Sequence, residues 1–166
     1  MRKLGIRRAD IGDIELIRSL AKAAFPAAYA EILTPEQTAY MMEWMYSAKS
    51  IEKQLAQGHA YFIADFGGKP CGYVSVERQD AALFHLQKIY VLPDIQGKGL
   101  GKFMFEAAKN HIKSEYPQRC VMELNVNRKN PAVGFYERMG MRKSRSGDFE
   151  IGEGFFMNDF IMSMEL

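Results

Sequence analysis

Apolar and polar positions follow two different periods along the chain, and the change of period separates predicted helices from predicted strands. Residues 3–8 form a short strand-like run. After it, Asp10 can cap a helix, because apolar residues then recur at three- and four-residue spacing over 14–25. Pro26 is expected to punctuate the chain after this helix, since proline lacks the N–H that a helix interior needs.

Two further helices are predicted before the period changes. Thr34, Pro35 at the first helical position and Gln37 three residues after the threonine indicate the start of one helix. The other is predicted over 50–57 and ends at Gly58, because glycine readily takes the left-handed backbone conformation that closes many helices.

The middle of the chain changes to runs typical of strands. Two such runs cover 60–66 and 72–78, and the Gly67-Gly68 pair between them indicates a hairpin. A third run covers 84–92 and breaks at Pro93. Three consecutive strands are therefore predicted.

The rest of the chain alternates between helix and strand. A helix is predicted over 100–112, a strand over 120–126, and a short helix over 131–139 that is stopped by Gly140. Two strand-like segments then flank a turn at 152–154. The resulting order, β-α-α-β-β-β-α-β-α-β-β, predicts a mixed sheet of the α/β class with helices packed on it.

Composition and charge exclude several classes of protein. The chain has 166 residues, 48% apolar and 25% charged, which predicts one domain, residues 1–166, with a conventional core. A net charge of +2 does not predict nucleic-acid binding, and no run of 18 apolar residues indicates a membrane span. No signal peptide is predicted either. Cys71 and Cys120 are expected to be buried, reduced thiols, which favours a cytoplasmic protein.

A glycine-rich segment joins the third strand of the middle block to the following helix. Gly97, Gly99 and Gly101 stand at alternate positions, with Lys98 and Lys102 beside them. A helix N-terminus has free N–H groups and partial positive charge, and a phosphate satisfies both. Glycine allows the close approach and positive φ that such a site needs. The segment therefore predicts a site for an anion, and a diphosphate is the leading candidate.

Two well-known phosphate loops do not match this segment. The P-loop pattern G-x-x-x-x-G-K-[ST] is absent, and the dinucleotide fingerprint G-x-G-x-x-G is replaced by G-x-G-x-G without a βαβ unit at the start of the chain. A plain glycine-rich connection remains the alternative.

The segment VLPDIQGKGLGK resembles the acetyl-CoA-binding motif of the GNAT N-acetyltransferases, Q/R-x-x-G-x-G/A, through Gln96, Gly99 and Gly101. About thirty residues later, LNVNRKNPAVGFYERMGM resembles a second segment of that family, through Asn130 and Tyr136 among others. The tail looks like that of a bacterial subgroup related to spermidine/spermine N-acetyltransferases. The resemblance covers most of the chain.

The resemblance implies a GNAT-like fold, with a mostly antiparallel sheet of about seven strands and about four helices on its two faces. It also implies transfer of an acetyl group from acetyl-CoA directly to an amine in a ternary complex. The strand before the glycines is expected to run beside the pantetheine arm, with the Val91 N–H polarising the thioester carbonyl. The expected coenzyme-binding residues are Ile89, Tyr90, Val91, Gln96, Gly97, Lys98, Gly99, Leu100, Gly101, Lys102 and Asn130.

The same resemblance places the general acid at Tyr136, which would protonate the departing thiolate. Taken without the motif, a tyrosine on a short amphipathic helix is more often a packing residue. The general base stays open between Glu77, Glu123 and a chain of waters. A base or a desolvating pocket is needed, because holding an alkylamine of pKa about 10.4 neutral at pH 7 costs about 4.6 kcal/mol.

The acceptor is the least determined part of the prediction. A polyamine is the leading candidate, followed by a peptide N-terminus or lysine, and a non-catalytic coenzyme A-binding domain is the alternative to an enzyme. Acidic residues could line a site for a cationic acceptor, although ordinary solvated charge is the favoured interpretation. They are Glu31, Glu36, Glu43, Asp148, Glu150, Glu153 and Asp159. His59, His85 and His111 lack metal-site spacing, so no metal is expected. A homodimer is possible by fold analogy.

Overall fold

Seven strands form one mixed sheet in the computed structural model, which describes residues 3–166, and five helices pack on the sheet. The strands are β1 (Leu4–Arg8), β2 (Ala60–Phe66), β3 (Lys69–Asp80), β4 (Leu83–Val91), β5 (Val121–Asn127), β6 (Arg142–Gly152) and β7 (Phe155–Glu165). The helices are α1 (Ile14–Tyr29), α2 (Pro35–Tyr46), α3 (Ala48–Ala56), α4 (Leu100–Glu115) and α5 (Ala132–Arg138).

The sheet order is β1-β2-β3-β4-β5-β7-β6, and the pairs are antiparallel except β4–β5, which is parallel. The predicted fold class is therefore confirmed. All five segments predicted as helices are helices, one more than the four in the predicted element order. Ser47 ends α2 and at once caps α3 by accepting a hydrogen bond from the Ser50 N–H at 3.1 Å.

The start of each early helix follows the local sequence, but the end of α1 does not. Asp10 accepts from the Gly12 N–H at 2.8 Å and so caps the single 3₁₀ turn Ile11–Asp13 that leads into α1. Thr34 accepts from the Gln37 N–H at 3.2 Å and caps α2, as expected. The expectation that Pro26 punctuates the chain after the first helix is wrong, because α1 continues through Pro26 to Tyr29. Phe25 and Tyr29 on either side are both buried, and that burial outweighs the cost of about 3 kcal/mol for an internal proline.

Two apolar cores lie on opposite faces of the sheet. One core, under α4 and α5, includes Leu86, Met104 and Tyr136. The other, under α1, α2 and α3, includes Ile17, Tyr46 and Tyr73. Both cysteines are free and buried in this structure, as expected. Among residues 3–166, no helix is both long enough and apolar enough to cross a membrane.

The sheet opens between its two central strands. β4 carries one extra residue, because Val76 pairs with Leu86 while its neighbour Ser75 pairs with Lys88, so that Gln87 forms a bulge. The parallel pairing of β4 with β5 stops at His85, and the two strands then separate. The gap this leaves, between the second half of β4 and the second half of β5, is called the strand gap below.

Candidate active site

The glycine-rich turn places bare backbone N–H groups at one end of the strand gap. Gly97 and Gly99 have φ angles of 85° and 81°, which other residues adopt only with strain. Gly99 is the N-cap of α4 and supplies no side-chain acceptor, so the first N–H groups of α4 lack a capping partner. A Cβ at either glycine would meet no atom within 4 Å. The turn therefore leaves room for an anion at the helix N-terminus.

The third glycine serves helix packing. A Cβ at Gly101 would lie 3.3 Å from the Phe135 ring, so glycine here allows α5 to approach α4. Gln96, Lys98 and Lys102 are exposed around the turn, where their side chains can reach a bound anion, and Leu100 is buried.

The end of β4 lines one side of the strand gap. Ile89, Tyr90 and Val91 pair with β3, but on their other side β5 has already moved away. Ile89 and Val91 pack towards the α4 face, whereas Tyr90 packs into the core under α1. Backbone groups that face the gap therefore have no strand partner among residues 3–166.

Tyr136 approaches the strand gap from the α5 side, near enough to interact electrostatically with Tyr29 and Tyr90. Its side chain is only 7% exposed and packs against the Phe135 and Phe105 rings, with centroids 5.4 and 6.5 Å away. Burial raises the pKa of Tyr136 above its usual value, and the nearby Tyr29 adds to the rise. The phenol is therefore fully protonated at neutral pH, as a proton donor must be.

Tyr29 reaches the gap from the opposite face. Its hydroxyl lies 3.2 Å from the Tyr90 hydroxyl. Burial raises the pKa of Tyr29, and interactions with Tyr90 and Asn130 oppose that rise. The Asn130 Oδ1 accepts from the Ala132 N–H at 2.9 Å, so this side chain also caps the start of α5. Groups from both faces of the sheet meet here because the central strands have separated.

A small cavity lies beside Tyr29, between α2 and the strands β5 and β7. It has a volume of about 20 Å³, enough for about one water. Its lining combines apolar side chains with amides and one carboxylate: Tyr29, Leu33, Gln37, Met41, Asn125, Asn127, Met157 and Asp159. A wider depression of about 400 Å³, lined in part by Gly140, Arg142 and Glu165, carries none of these site residues.

Three side chains form a row of hydrogen bonds across the sheet, from β7 to β4, and two of them line this cavity. Asn125 Nδ2 donates to Asp159 Oδ2 at 3.2 Å, and Asn125 Oδ1 lies 2.9 Å from His85 Nε2. Because the Asn125 oxygen can only accept, His85 Nε2 carries the proton. Burial lowers the pKa of His85, so the ring is neutral at pH 7. Burial also raises the pKa of Asp159, which is only 1% exposed.

Comparison with known proteins identifies the family. The family model described as Acetyltransferase (GNAT) domain matches residues 29–158. The chain belongs to the GNAT family. It thus carries a GNAT-type acetyltransferase domain, as the glycine-rich motif and the later segment with Asn130 and Tyr136 indicated.

Individual relatives agree with this assignment. An uncharacterised N-acetyltransferase of Escherichia coli, YjgM, is 31% identical over 50% of this chain and 51% of its own length. The peptidyl-lysine N-acetyltransferase YjaB of Salmonella typhimurium is 31% identical over 48% of this chain and 56% of its own length. The chain therefore spans about half the length of these relatives. The structure of PaiA N-acetyltransferase from Thermoplasma acidophilum with coenzyme A covers 99% of both chains at 21% identity, with a TM-score of 0.82.

Neither glutamate considered as a base for this GNAT domain is free. Glu77 lies 3.1 Å from His59 Nε2 and accepts from Gln87 Nε2 at 2.8 Å. Glu123 pairs with Arg145 at 3.2 Å, at the closed end where β4 and β5 still meet. Both carboxylates are thus engaged outside the cavity.

The acidic residues proposed to line an acceptor site divide into two groups. Most are exposed, as ordinary solvated charge, and Asp148 pairs with Arg128 at 2.7 Å. For Asp159 that interpretation is wrong, because β7 turns this side chain into the cavity. Tyr29 and Asn125 were not predicted at all. The available signal was the polar residues at alternate positions of β5, Asn125 and Asn127. Within residues 3–166, no cluster of three or more His, Cys, Asp or Glu side chains could hold a metal ion.

Proposed function

We propose that this GNAT domain, residues 1–166, transfers an acetyl group from acetyl-CoA to a primary alkylamine, with a polyamine as the leading acceptor. The observation that carries the proposal is the cavity beside Tyr29, in which a buried carboxylate stands among apolar side chains at the edge of the strand gap. An alkylamine offers the matching chemistry, because it joins a cationic nitrogen to a flexible hydrocarbon chain.

The glycine-rich turn is proposed to hold the diphosphate of the coenzyme. The N–H groups at the start of α4, the open space in front of Gly97 and Gly99 and the charges of Lys98 and Lys102 all suit a diphosphate. The backbone groups of Ile89, Tyr90 and Val91 that face the strand gap, on the side away from β3, suit the amides of a pantetheine arm. When bound, acetyl-CoA supplies the acetyl group as an activated thioester.

Tyr136 is proposed as the general acid. Its burial keeps the phenol protonated, and its closeness to Tyr29 and Tyr90 beside the strand gap suits protonation of the departing coenzyme sulfur. A thiolate whose thiol has a pKa of about 8.5 needs a proton at neutral pH, and a positioned acid contributes about 10²–10⁴ in rate. Asn130 is proposed to act with Tyr29 in shaping this end of the gap.

The side chain of a peptide lysine is the second candidate acceptor. It presents the same ammonium on a hydrocarbon chain, and a relative of this chain is a peptidyl-lysine N-acetyltransferase. The cavity of about 20 Å³ can take only the amine end of either acceptor, so the preference for a polyamine rests on the resemblance of the tail to the spermidine/spermine subgroup. Cytoplasmic location and a homodimer remain predictions.

A turnover assay tests the proposal. Free coenzyme A is measured with a thiol reagent while polyamines, alkylamines, lysine peptides, amino acids and aminoglycosides are offered in turn. Polyamines are expected to give the highest kcat/KM, and Tyr136→Phe should abolish most of that turnover. If no amine is acetylated while coenzyme A binds, the chain is a non-catalytic binding domain and the proposal is wrong.

A further inference from the structure

Asp159 is a buried carboxylate without a cationic partner. It is 1% exposed, and among residues 3–166 no side chain forms an ion pair with it. The nearest guanidinium, that of Arg128, bonds the backbone oxygen of Asp159 at 3.4 Å and turns its other nitrogen to Asp148. A buried charge left unpaired is strongly unfavourable, so a site that keeps one is suited to a cationic ligand.

The carboxylate is also held in a fixed orientation. Asn125 Nδ2 donates to Asp159 Oδ2, and the Asn125 amide is in turn fixed by the His85 Nε2–H at its oxygen. Asn125 lies on β5, Asp159 on β7 and His85 on β4, so three strands fix one side chain. Such a row is typical of a group whose orientation matters to a reaction.

We propose that Asp159 binds the ammonium group of the acceptor and accepts its proton, and that Asn125 and His85 are the positioning residues that hold the carboxylate. The inference rests on the proposed function. It fills the role of general base that Glu77 and Glu123 cannot fill while they are paired with His59 and Arg145.

The transfer of atoms and charge is balanced. One proton passes from the acceptor nitrogen to an Asp159 oxygen, and the neutral amine then attacks the thioester carbon. The C–N bond forms and the C–S bond breaks. The thiolate takes the Tyr136 proton, and the Tyr136 oxygen recovers one from the amide nitrogen. Asp159 returns its proton to solvent, so one proton is released for each protonated amine acetylated.

The surroundings of Asp159 support this transfer. Desolvation raises the pKa of the Asp159 carboxyl, and it lowers the pKa of an ammonium group buried beside it. The difference between the two pKa values therefore becomes smaller, which eases proton transfer. Tyr29 of α1 faces the carboxylate, and Arg128 opposes the rise in its pKa. Two uncharged side chains of α2, Gln37 and Met41, line the cavity. On β6, Gly147 pairs with Asp159 and adds no charge.

The test compares the pH dependence of two variants, with spermidine as the acceptor. Asp159→Asn should lower kcat/KM about 100-fold or more at pH 7. The deficit should then shrink by about tenfold per pH unit towards pH 10, because the variant depends on the fraction of amine already neutral. Glu123→Gln removes a carboxylate from the same face of β5 and should keep the wild-type pH profile.

Equilibrium binding gives a second readout that needs no turnover. Titration calorimetry at pH 7 should show weaker spermidine binding to Asp159→Asn than to the wild type, and unchanged binding to Glu123→Gln. If Asp159→Asn does not fold, His85 provides the matched pair. His85→Gln keeps a donor for the Asn125 oxygen and should retain the wild-type pH profile, whereas His85→Leu should show the alkaline rise.

Three outcomes would overturn the inference. The first is wild-type turnover with the same pH profile in Asp159→Asn. The second is a loss in Asp159→Asn that stays constant from pH 7 to pH 10. The third is a loss of spermidine binding in Glu123→Gln as large as that in Asp159→Asn. All three leave the proposed function standing, whereas absence of wild-type turnover with every amine would remove both.

Discussion

Replacing Gly99 by alanine separates the conformational role of the glycine from its role in binding. Gly58, at the C-terminal end of α3, provides the control, because its φ of 94° is close to the 81° of Gly99 and a Cβ meets no atom within 4 Å at either position. An alanine at each site should therefore cost a similar 1–2 kcal/mol, about the penalty for left-handed backbone. In a domain of this length that cost corresponds to a Tm lower by about 2–8 °C.

Only one of the two variants should lose affinity for coenzyme A. The Cβ of Gly99→Ala projects into the open space at the N-terminus of α4, where the diphosphate is proposed to bind. Loss of a single hydrogen bond to a charged group costs about 1.5–3 kcal/mol, which corresponds to about a 10- to 150-fold weaker Kd. Gly58→Ala should bind coenzyme A as the wild type does, because Gly58 lies outside the strand gap.

The assay is titration calorimetry with coenzyme A, combined with thermal unfolding of each variant without ligand. Equal Tm losses with unequal Kd values would support the anion site at α4. Coenzyme A binding to Gly99→Ala at wild-type affinity would refute the reasoning, and so would an equal loss of affinity in both variants.

Three further substitutions test other parts of the structure. Tyr136→Phe should lower kcat by about 10²–10⁴ and leave the Kd for coenzyme A, measured by calorimetry, unchanged. If kcat and coenzyme A affinity fall by the same factor, Tyr136 is a binding residue. Burial lowers the pKa of Lys88 to about 8, so the unfolded chain binds more protons and wild-type stability should rise from pH 8 towards pH 10.5, measured by Tm. Lys88→Met should remove that rise and should be more stable than the wild type at pH 7. A lower Tm of Lys88→Met at pH 7 would contradict this prediction. The Tyr46 and Tyr73 hydroxyls share a buried hydrogen bond of 2.7 Å, so Tyr46→Phe should cost about 1–3 kcal/mol in urea unfolding, and the double variant with Tyr73→Phe should lose less than the two single losses combined.

Local signals in the sequence predicted the elements that form locally. Asp10 and Thr34 cap helices as expected, and the spacing of Gly97 and Gly99 marked a turn whose positive φ angles the structure confirms. These features depend on a few neighbouring residues and on backbone sterics. Pro26 shows the limit of such signals, because burial on the far side of α1 decides whether the helix continues.

The cavity depends on contacts between distant parts of the chain. Tyr29 and Asp159 belong to the first helix and the last strand, and they meet only because β7 lies between β5 and β6. No local sequence pattern specifies this order of strands in the sheet. The sequence did contain a partial signal, since Gln87 next to Lys88 breaks the alternation of β4 where the structure has its bulge. Adjacent polar residues inside a predicted central strand are a useful sign of such an irregularity.

The separation of β4 from β5 gives the molecule an internal sheet edge. Exposed edges invite strand addition, and most folds cover or shorten them. Here the edge lies inside the domain, between the faces of the sheet on which α1 and α4 pack. A narrow ligand with amide groups can therefore form hydrogen bonds with the free edge of β4, whereas another protein chain is excluded. The pantetheine arm of the coenzyme is then expected to pair with β4 as an added strand would. Coenzyme binding should therefore slow the hydrogen exchange of backbone amides along β4.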